Sequence, residues 1–320
     1  MWRLLLGCLL ATQFSYVNAA QDEDPWMVLQ KAAQAARELS YQGVFIYQSG
    51  KTARSVQITH MNYGQGEYAR MFVLDGSPRE VLSQGNDVVI FSPRDEKVVI
   101  EKRRGQNLFP ALLPIDIEAI KPSYQVRMGG TERIGGREGQ IVYLEPRDKY
   151  RYGYKLWADR EYGLLLKSAS SNEHDQVMEQ MAFNQLALLN TQNMDWFHPH
   201  IDPNKQYVME EPANNRVSTA DAENWSVERL PAGYKQVDQI KRMVPGKNVP
   251  LTHIVFSDGL SSVSLFIEPL TRGTRPKTGS TSLGATNIHA AVVEGHQIMV
   301  VGEVPEATVN QIANSVSFKK

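Results

Sequence analysis

The sequence predicts an α+β protein that is mostly antiparallel β-sheet and is divided into two domains. Apolar and polar residues alternate through most of residues 41–186, which is the pattern of half-buried strands. Glycine-rich turns separate these runs, one helical repeat precedes them and another ends the chain. The length of 320 residues fits two domains of roughly 150 residues each. A strongly curved antiparallel sheet packed on one or two helices is the simplest fold for the first domain.

The N-terminus has the pattern of a secretory signal peptide. Arg3 precedes an apolar run from Leu4 to Ala11, and the small or branched residues that follow predict cleavage after Ala19, with Ala20 as the second candidate position. The apolar run is far shorter than the roughly 20 residues needed to span a bilayer. We therefore expect residues 1–19 to be removed and the mature protein to be exported and soluble.

The chain has one cysteine, Cys8, which lies inside this signal. A lipoprotein signal is the alternative interpretation, but too few residues precede Cys8 to form its apolar region. Removal of the signal leaves no cysteine, so disulfides, thiol nucleophiles and thiolate metal sites are excluded. The mature chain must then be stabilised by core burial, which two domains of this size allow.

The first predicted element after the signal is an amphipathic helix. Asp24 is a typical N-cap, and Pro25 fits the first helical turn. Apolar residues then repeat at helical spacing up to Leu39. Strand patterns follow from Tyr41 to about Leu186, interrupted by a short helix near residues 115–120. The predicted strands are residues 56–58, 68–74, 88–91, 98–101, 141–145, 152–159, 164–171 and 177–186.

A change in composition predicts the domain boundary. Residues 20–189 form the first predicted domain, and residues 190–224 are rich in Asn, Pro, His and acids without a sustained period, which is typical of a linker. Residues 225–320 predict a small antiparallel α+β domain. Its features are hairpin turns at Asp258-Gly259 and Glu294-Gly295, a basic loop at residues 271–282, and a terminal helix that starts at Pro305.

Charge and motifs argue against several functional classes. Lys and Arg number 34 against 35 Asp and Glu, so net charge gives no reason to expect a nucleic-acid partner. No nucleophile elbow, P-loop or HExxH helix is present. His198 and His200, with Asp195 and Asp202, are the one metal-like cluster, and their polar setting favours a solvated loop. We expect no metal, no cofactor and no catalytic activity.

One hairpin carries more information than the rest of the chain. RDKYRYGYKLWADREYGLLLK runs from Arg147 to Lys167, with turn residues at positions 159–163. Alternation predicts an aromatic and aliphatic face on its first strand: Tyr152, Tyr154 and Leu156. It predicts that the other face is basic and aromatic: Arg151, Lys155 and Trp157.

This segment resembles the corresponding segment of the RseB/MucB family, and further blocks agree in order along the chain. These blocks are LDGSPREV at residues 74–81, LPAGY at 230–234, FSDGL and FIEP between 256 and 269, and VVGEVP at 300–305. Each alone is weak, because LPAGY and SDGL are ordinary turn sequences. Five in family order are a strong resemblance.

The resemblance implies a fold, a location and a function. Family members are periplasmic proteins whose first domain is similar to the lipoprotein carrier LolA, an open half-barrel with an apolar interior. They bind the periplasmic region of a membrane-spanning anti-sigma factor and shield it from regulated proteolysis. Lipopolysaccharide or the acyl chains of mislocalised lipoproteins release them. A homo-oligomer is also compatible with the family.

Two groups of candidate site residues follow. The aromatic face of Tyr152, Tyr154 and Leu156 either lines a cavity for acyl chains or packs on the helix of its own domain, and Arg151 is the candidate for an anionic head group. In the second domain, the basic loop is the candidate partner-binding surface. Its cations are Arg272, Arg275 and Lys277.

Two other functions remain as alternatives. A LolA-type carrier of lipoprotein acyl chains would have the same first domain, but such a carrier is a single domain and would end near Leu189. The blocks in residues 230–305 therefore favour the regulator. A secreted hydrolase with scattered catalytic residues is the third hypothesis, and turnover of a generic ester or glycoside would support it.

Overall fold

The computed structural model describes residues 23–318, apart from residues 65, 86, 93, 95, 103–106, 192, 199–206, 211–224, 244–248 and 272. The predicted signal peptide and its cleavage positions at Ala19 and Ala20 therefore lie outside the described residues. The fold is mostly antiparallel sheet with few helices, which confirms the predicted class. None of the helices in the described ranges is long and apolar enough to cross a membrane.

The first sheet has twelve strands in the order β12-β6-β5-β4-β3-β2-β1-β11-β10-β9-β8-β7. Neighbours are antiparallel except β12, which runs parallel to β6. The sheet is open, so β12 and β7 are its edges. The strands are β1 (Tyr41–Ser49), β2 (Thr52–Tyr63), β3 (Gly66–Val73), β4 (Glu80–Gln84), β5 (Asp87–Ser92), β6 (Lys97–Lys102), β7 (Tyr124–Ile134), β8 (Arg137–Pro146), β9 (Gly153–Asp159), β10 (Leu165–Ser171), β11 (Val177–Leu188) and β12 (Val208–Glu210).

Helix α1 (Pro25–Glu38) packs on one face of this sheet. Asp24 caps it, accepting a hydrogen bond from the Trp26 amide at 3.0 Å. Its buried positions are mostly alanine, which brings the helix backbone close to strands β2, β7, β8 and β9. Phe109 completes the core, with its ring 5.1 Å from the rings of both Phe45 and Phe183. The predicted helix near residues 115–120 is a 3-10 turn at Ile117–Ala119.

Part of the predicted linker belongs to the first sheet. A 3-10 helix at Met194–Phe197 lies against β3, where the ring of Phe197 is 5.7 Å from that of Tyr68. Strand β12 extends the sheet beyond β6, and the Tyr207 ring lies 5.0 Å from Phe91. Aromatic side chains thus tie this polar segment to the sheet, although its sequence shows no period.

The second domain holds a six-stranded antiparallel sheet in the order β14-β15-β16-β19-β18-β17 and a two-stranded sheet of β13 and β20. Helix α2 (Glu306–Ala313) packs on β18 and β19 and buries Val309 and Ile312. The strands are β13 (Trp225–Val227), β14 (Lys235–Met243), β15 (Pro250–Ser257), β16 (Ser262–Pro269), β17 (Gly279–Leu283), β18 (Thr286–Val293), β19 (His296–Gly302) and β20 (Val316–Phe318).

Two details of this domain differ from the sequence predictions. Strands β15 and β16 are joined by a loop over residues 258–261, not by the predicted two-residue turn at Asp258-Gly259. Of that predicted pair, Gly259 has a positive φ, +98°, and Asp258 does not. The end of the predicted basic loop is strand β17, because its short polar side chains pair with β18 across a tight turn at Gly284. Pairing with the next strand of the chain overrides a composition that is typical of loops.

Candidate functional site

Arg151 reaches from the first domain into the second and is fully buried. Its Nε donates to the carboxylate of Asp258 at 2.7 Å. Its terminal nitrogens donate to Asp148 and to the carbonyl oxygen of Ala232, and the guanidinium lies 5.1 Å from the Tyr234 ring. Two loops of the second domain therefore enclose one arginine of the first. We call this region, with the tyrosines described below, the domain contact.

Asp258 is equally buried, and hydrogen bonds satisfy both of its carboxylate oxygens. One oxygen accepts from the backbone amides of Leu260 at 3.0 Å and Ser261 at 2.8 Å, while the other accepts from Arg151. A buried ion pair is tolerated only when its remaining donors and acceptors are satisfied in this way. The loop of FSDGL is thus shaped to present one carboxylate to the first domain.

Tyr152 makes the second link between the domains. Its hydroxyl donates to the carbonyl oxygen of Ala285 and accepts from the Asn287 amide, both at 3.1 Å. The same Asn287 amide donates to the carbonyl oxygen of Val304 at 2.8 Å. A tyrosine of the β8–β9 connection is therefore fixed between the β17–β18 turn and the residues that precede α2.

Tyr154 lies deeper along the same face. Its hydroxyl is 3.3 Å from the hydroxyl of Ser261, and its ring is 6.4 Å from that of Tyr124. Burial raises the pKa of Tyr154 far above its usual value, so the hydroxyl keeps its proton and can donate. Nearby, the hydroxyl of Thr308 donates to the carbonyl oxygen of Tyr150 at 2.8 Å.

Two glycines permit the close approach of the domains. Gly233 has φ +84°, and a Cβ there would lie 2.7 Å from the Ser123 hydroxyl and 2.9 Å from a terminal nitrogen of Arg151. A Cβ at Gly259 would lie 3.3 Å from the side chain of Ile120. The LPAGY and FSDGL blocks, which look like ordinary turns in sequence, therefore form two of the loops that contact the first domain.

The candidate ligand residues are all packed in this arrangement. Leu156 lies in the core beside α1, while Tyr152 and Tyr154 meet the second domain. Strand β9 begins at Gly153, so its alternation does not extend back to Arg151 and Tyr152, and both of these side chains contact the second domain. A ligand-binding role for these residues remains a prediction. Of the candidate partner-binding cations, Arg275 and Lys277 are exposed and Arg272 lies outside the described residues.

Sequence reasoning missed an apolar row on the face of the first sheet that carries α1. Its members pair side by side across β2 to β6, and all but Ile58 are partly exposed. Ile58 belongs to the core beside α1, and Met71 packs against that core, which fixes the face. We call these residues the apolar row: Ile58, Met71, Val81, Ile90 and Val99.

Two carboxylates, Glu179 of the first domain and Glu303 of the second, have raised pKa values. Burial, with a smaller contribution from the charge of Glu303, raises the pKa of Glu179 from its usual value near 4.5 to about 7. Tyr47 opposes part of this rise through a hydrogen bond to Glu179. Glu303 reaches solvent, yet the surrounding protein atoms raise its pKa too through loss of hydration.

We expect this pair to make stability depend on pH. The pKa of Glu179 is higher in the folded than in the unfolded chain, so its stabilising contribution is complete below about pH 4.5 and is lost as pH rises through about 7. Thermal unfolding should show Glu179→Gln more stable than wild type at pH 8, by about 1–3 kcal/mol, and nearly equal to it at pH 5. Glu173→Gln, at an exposed position before β11, should leave the pH profile unchanged. If the stability of Glu179→Gln depended on pH as that of wild type does, the raised pKa of Glu179 would not explain the pH dependence.

No metal site is present in the part of the chain that the structure describes. No group of three His, Cys, Asp or Glu side chains converges there. His198 lies 3.9 Å from Asp195 with both side chains exposed, and His200 and Asp202 fall outside the described residues.

Comparisons with known proteins agree over both domains. A family profile described as MucB/RseB N-terminal domain matches residues 24–201, and one described as MucB/RseB C-terminal domain matches residues 219–317. The sigma factor AlgU regulatory protein MucB of Pseudomonas aeruginosa is 30% identical over 318 residues, covering 98% of this chain and 95% of that protein. The sigma-E factor regulatory protein RseB of Escherichia coli K12 is 25% identical over 319 residues, covering 98% and 96%.

Solved structures show the same similarity in three dimensions. A crystal structure of MucB in complex with MucA(peri) superposes with a TM-score of 0.73 at 27% identity, covering 93% of this chain and 100% of that chain. A complex of Pseudomonas aeruginosa MucA and MucB gives 0.72 at 28% identity, covering 93% and 99%. A crystal structure of MucB gives 0.67 at 26% identity, covering 92% and 97%.

Proposed function

The chain belongs to the MucB/RseB family of sigma-factor regulatory proteins, and from that premise we propose that it binds the periplasmic region of a membrane anti-sigma factor. The observation that carries this proposal is the match of both domains to MucB chains whose structures were solved in complex with MucA. We further propose that the protein acts in the periplasm and that its role is binding rather than catalysis.

The domain contact supports a binding surface that extends over both domains. Arg151, Tyr152 and Tyr154 fix the second domain against the first through buried polar contacts. A partner that touches both domains then meets a preformed surface and loses less conformational freedom on binding. Regulated proteolysis needs an accessible, extended segment of the anti-sigma factor, so a bound regulator would protect that segment.

We also propose that a bound lipid releases the anti-sigma partner. The apolar row is the surface that supports this proposal. The row is uncharged and spans five adjacent strands. Phe197 and Tyr207 contact the face of strands β3 and β5 that is opposite the apolar row. Among the described residues, neither covers the row, and we propose that acyl chains bind there. A lipid releases the partner only as far as it prefers the partner-free form, because the two bindings are linked.

We expect Ile90→Asp to weaken lipid binding selectively. A carboxylate in the middle of the apolar row must be desolvated when acyl chains bind, so affinity for a fluorescent lipid A analogue should fall about tenfold or more. Ile46→Asp is the matched control, because Ile46 is 42% exposed and lies on the other face of β1 from Phe45. Equal affinities of the two variants would place the lipid site outside the apolar row.

The LolA-type carrier remains the second candidate function. The apolar row suits a carrier as well as a regulator, since both accept acyl chains. The second domain and its buried contact with the first favour the regulator, because acyl transport alone does not require them. Transfer of a purified lipoprotein from this chain to an acceptor membrane would favour the carrier.

A reconstituted cleavage assay tests protection and release together. The periplasmic region of the cognate anti-sigma factor is incubated with the protease that cleaves it, with and without the mature chain. We expect cleavage to slow when the chain is added and to recover on addition of lipid A, with no recovery for Ile90→Asp. Unchanged cleavage in the presence of a bound chain would refute protection while leaving binding intact.

A further inference from the structure

Among the described strands, β17 is a free edge of the second sheet. It pairs with β18 on one side only, and all five of its residues are exposed. Leu283 is 81% exposed, although it is the one large apolar residue of the strand. Within the described residues, the backbone of β17 makes no hydrogen bond outside its ladder with β18. Its outward N–H and C=O groups are therefore available to another chain.

The other long edges carry features that discourage pairing. Strand β7 has an irregularity between Met128 and Thr131, followed by the charged residues Glu132 and Arg133. Strand β14 has a shift in register between Gln236 and Asp238 and is rich in charge. Bulges and charges are the usual protection of natural edge strands. The described ladder of β17 is regular, and the strand carries no charge and no proline.

Hairpin geometry shows which amides of β17 point outward. The β17–β18 turn has two residues, Gly284 at φ +59° and Ala285, which fits a type II′ turn closed by the hydrogen-bonded pair Leu283–Thr286. Hydrogen-bonded and non-hydrogen-bonded pairs alternate in an antiparallel ladder. The amides of Ser282 and Ser280 therefore face away from β18.

The charge around this edge selects an acidic segment. Arg275 and Lys277 precede β17, both are exposed, and neither forms an ion pair with any described residue. The backbone of Lys277 is held in place, because its amide donates to the side chain of Gln297 at 2.7 Å and its carbonyl accepts from it at 2.8 Å. Residues 279–293 contain no acidic residue.

The edge ends beside the first domain. A Cβ at Gly284 would lie 2.5 Å from the hydroxyl of Ser49, so the β17–β18 turn touches the end of β1. Tyr152 also contacts this turn through the carbonyl oxygen of Ala285. A strand added to β17 would therefore extend from the basic loop to the domain contact.

We propose that β17 accepts an extended, acidic segment of the anti-sigma partner as an added β-strand. The inference rests on the proposed function and names the surface and the partner chemistry that it uses. Main-chain hydrogen bonds to the outward groups of β17 supply affinity, as in other cases of strand addition. Arg275 and Lys277 attract the acidic residues that flank the added strand, and this contribution weakens with salt.

The test compares two substitutions at one position in the full mature chain. Ser282→Pro removes an outward N–H and leaves the ladder amides of its neighbours, whereas Ser282→Ala keeps that N–H. We expect Ser282→Pro to lower affinity for the periplasmic region of the cognate anti-sigma factor about tenfold or more, and Ser282→Ala to bind like wild type. Hydrogen exchange of the Ser280 and Ser282 amides should slow in the wild-type complex.

The remaining outcomes distinguish failure of strand addition from failure of the proposed function. If Ser282→Pro binds the anti-sigma region as tightly as wild type does, and hydrogen exchange in β17 does not slow in the wild-type complex, strand addition is wrong. The proposed function would still stand. Absence of binding by folded wild type would instead reject the proposed function. A dimer of the free chain that dissociates in Ser282→Pro, with partner affinity unchanged, would show that a second copy occupies the edge.

Discussion

Arg151→Ala is expected to lower the free energy of unfolding by about 3–5 kcal/mol, because it leaves the carboxylate of Asp258 buried without its cation. Both side chains of this pair are fully buried and they join the two domains. The substitution also removes the hydrogen bond that Arg151 donates to Ala232. Urea unfolding of the mature chain measures the loss, and affinity for the anti-sigma region should fall with it.

Arg160→Ala is the matched control for this prediction. Arg160 also pairs with a carboxylate, that of Glu138 at 2.9 Å, but more than half of each side chain is exposed. Exposed pairs contribute less than about 1 kcal/mol. If Arg151→Ala were no more destabilised than Arg160→Ala, the domain contact would not hold the two domains together.

Tyr154→Ala is expected to cost about 3–5 kcal/mol of stability and to leave lipid affinity unchanged. Tyr154 packs against the core beside α1, and its hydroxyl meets Ser261 of the second domain. Tyr154→Phe keeps the ring and loses only the hydroxyl, so it should cost about 1 kcal/mol. Thermal unfolding, paired with titration of a fluorescent lipid A analogue, separates the two properties.

The same two measurements could instead show that Tyr154 lines the lipid site and is not a core residue. A small loss of stability in Tyr154→Ala, together with weaker lipid binding, would show that acyl chains lie on the face of Tyr152, Tyr154 and Leu156. The apolar row would then not be the lipid site. The sequence alone left both possibilities open.

Local patterns predicted the elements that depend on local physics. The N-cap at Asp24 and the helical repeat after it correspond to α1, which the structure ends at Glu38. Alternation also placed Tyr154 and Leu156 on the core side of β9, with Trp157 on the other side in a separate apolar cluster. In these segments, the residues that determine the structure are neighbours in the chain.

The domain contact could not be predicted in this way, because its partners are far apart in the chain. Arg151 and Asp258 are separated by 107 positions, and their pairing depends on how the domains meet. The positive φ of Gly233 is typical of many turns, and nothing local indicates that Arg151 lies against it. The LPAGY and FSDGL blocks indicated turns and a family resemblance, but neither pattern indicated a contact with the first domain.

The apolar row and β17 were missed for related reasons. Strands β4 to β6 carry apolar residues on both faces, so alternation does not show which face a later segment covers. In β17, glycine, serine and threonine favour turns and loops, and only the pairing with β18 makes the segment a strand. Both features depend on how each strand pairs and on which face is covered, and composition shows neither.

Affinity capture from the native envelope tests the central claim most directly. The purified mature chain serves as bait in a detergent extract of the envelope of its own bacterium, and mass spectrometry identifies the bound proteins. We expect a membrane-anchored anti-sigma factor to be recovered with wild type and to be reduced with Arg151→Ala. Recovery of no anti-sigma factor by a folded wild-type bait would contradict the proposed function.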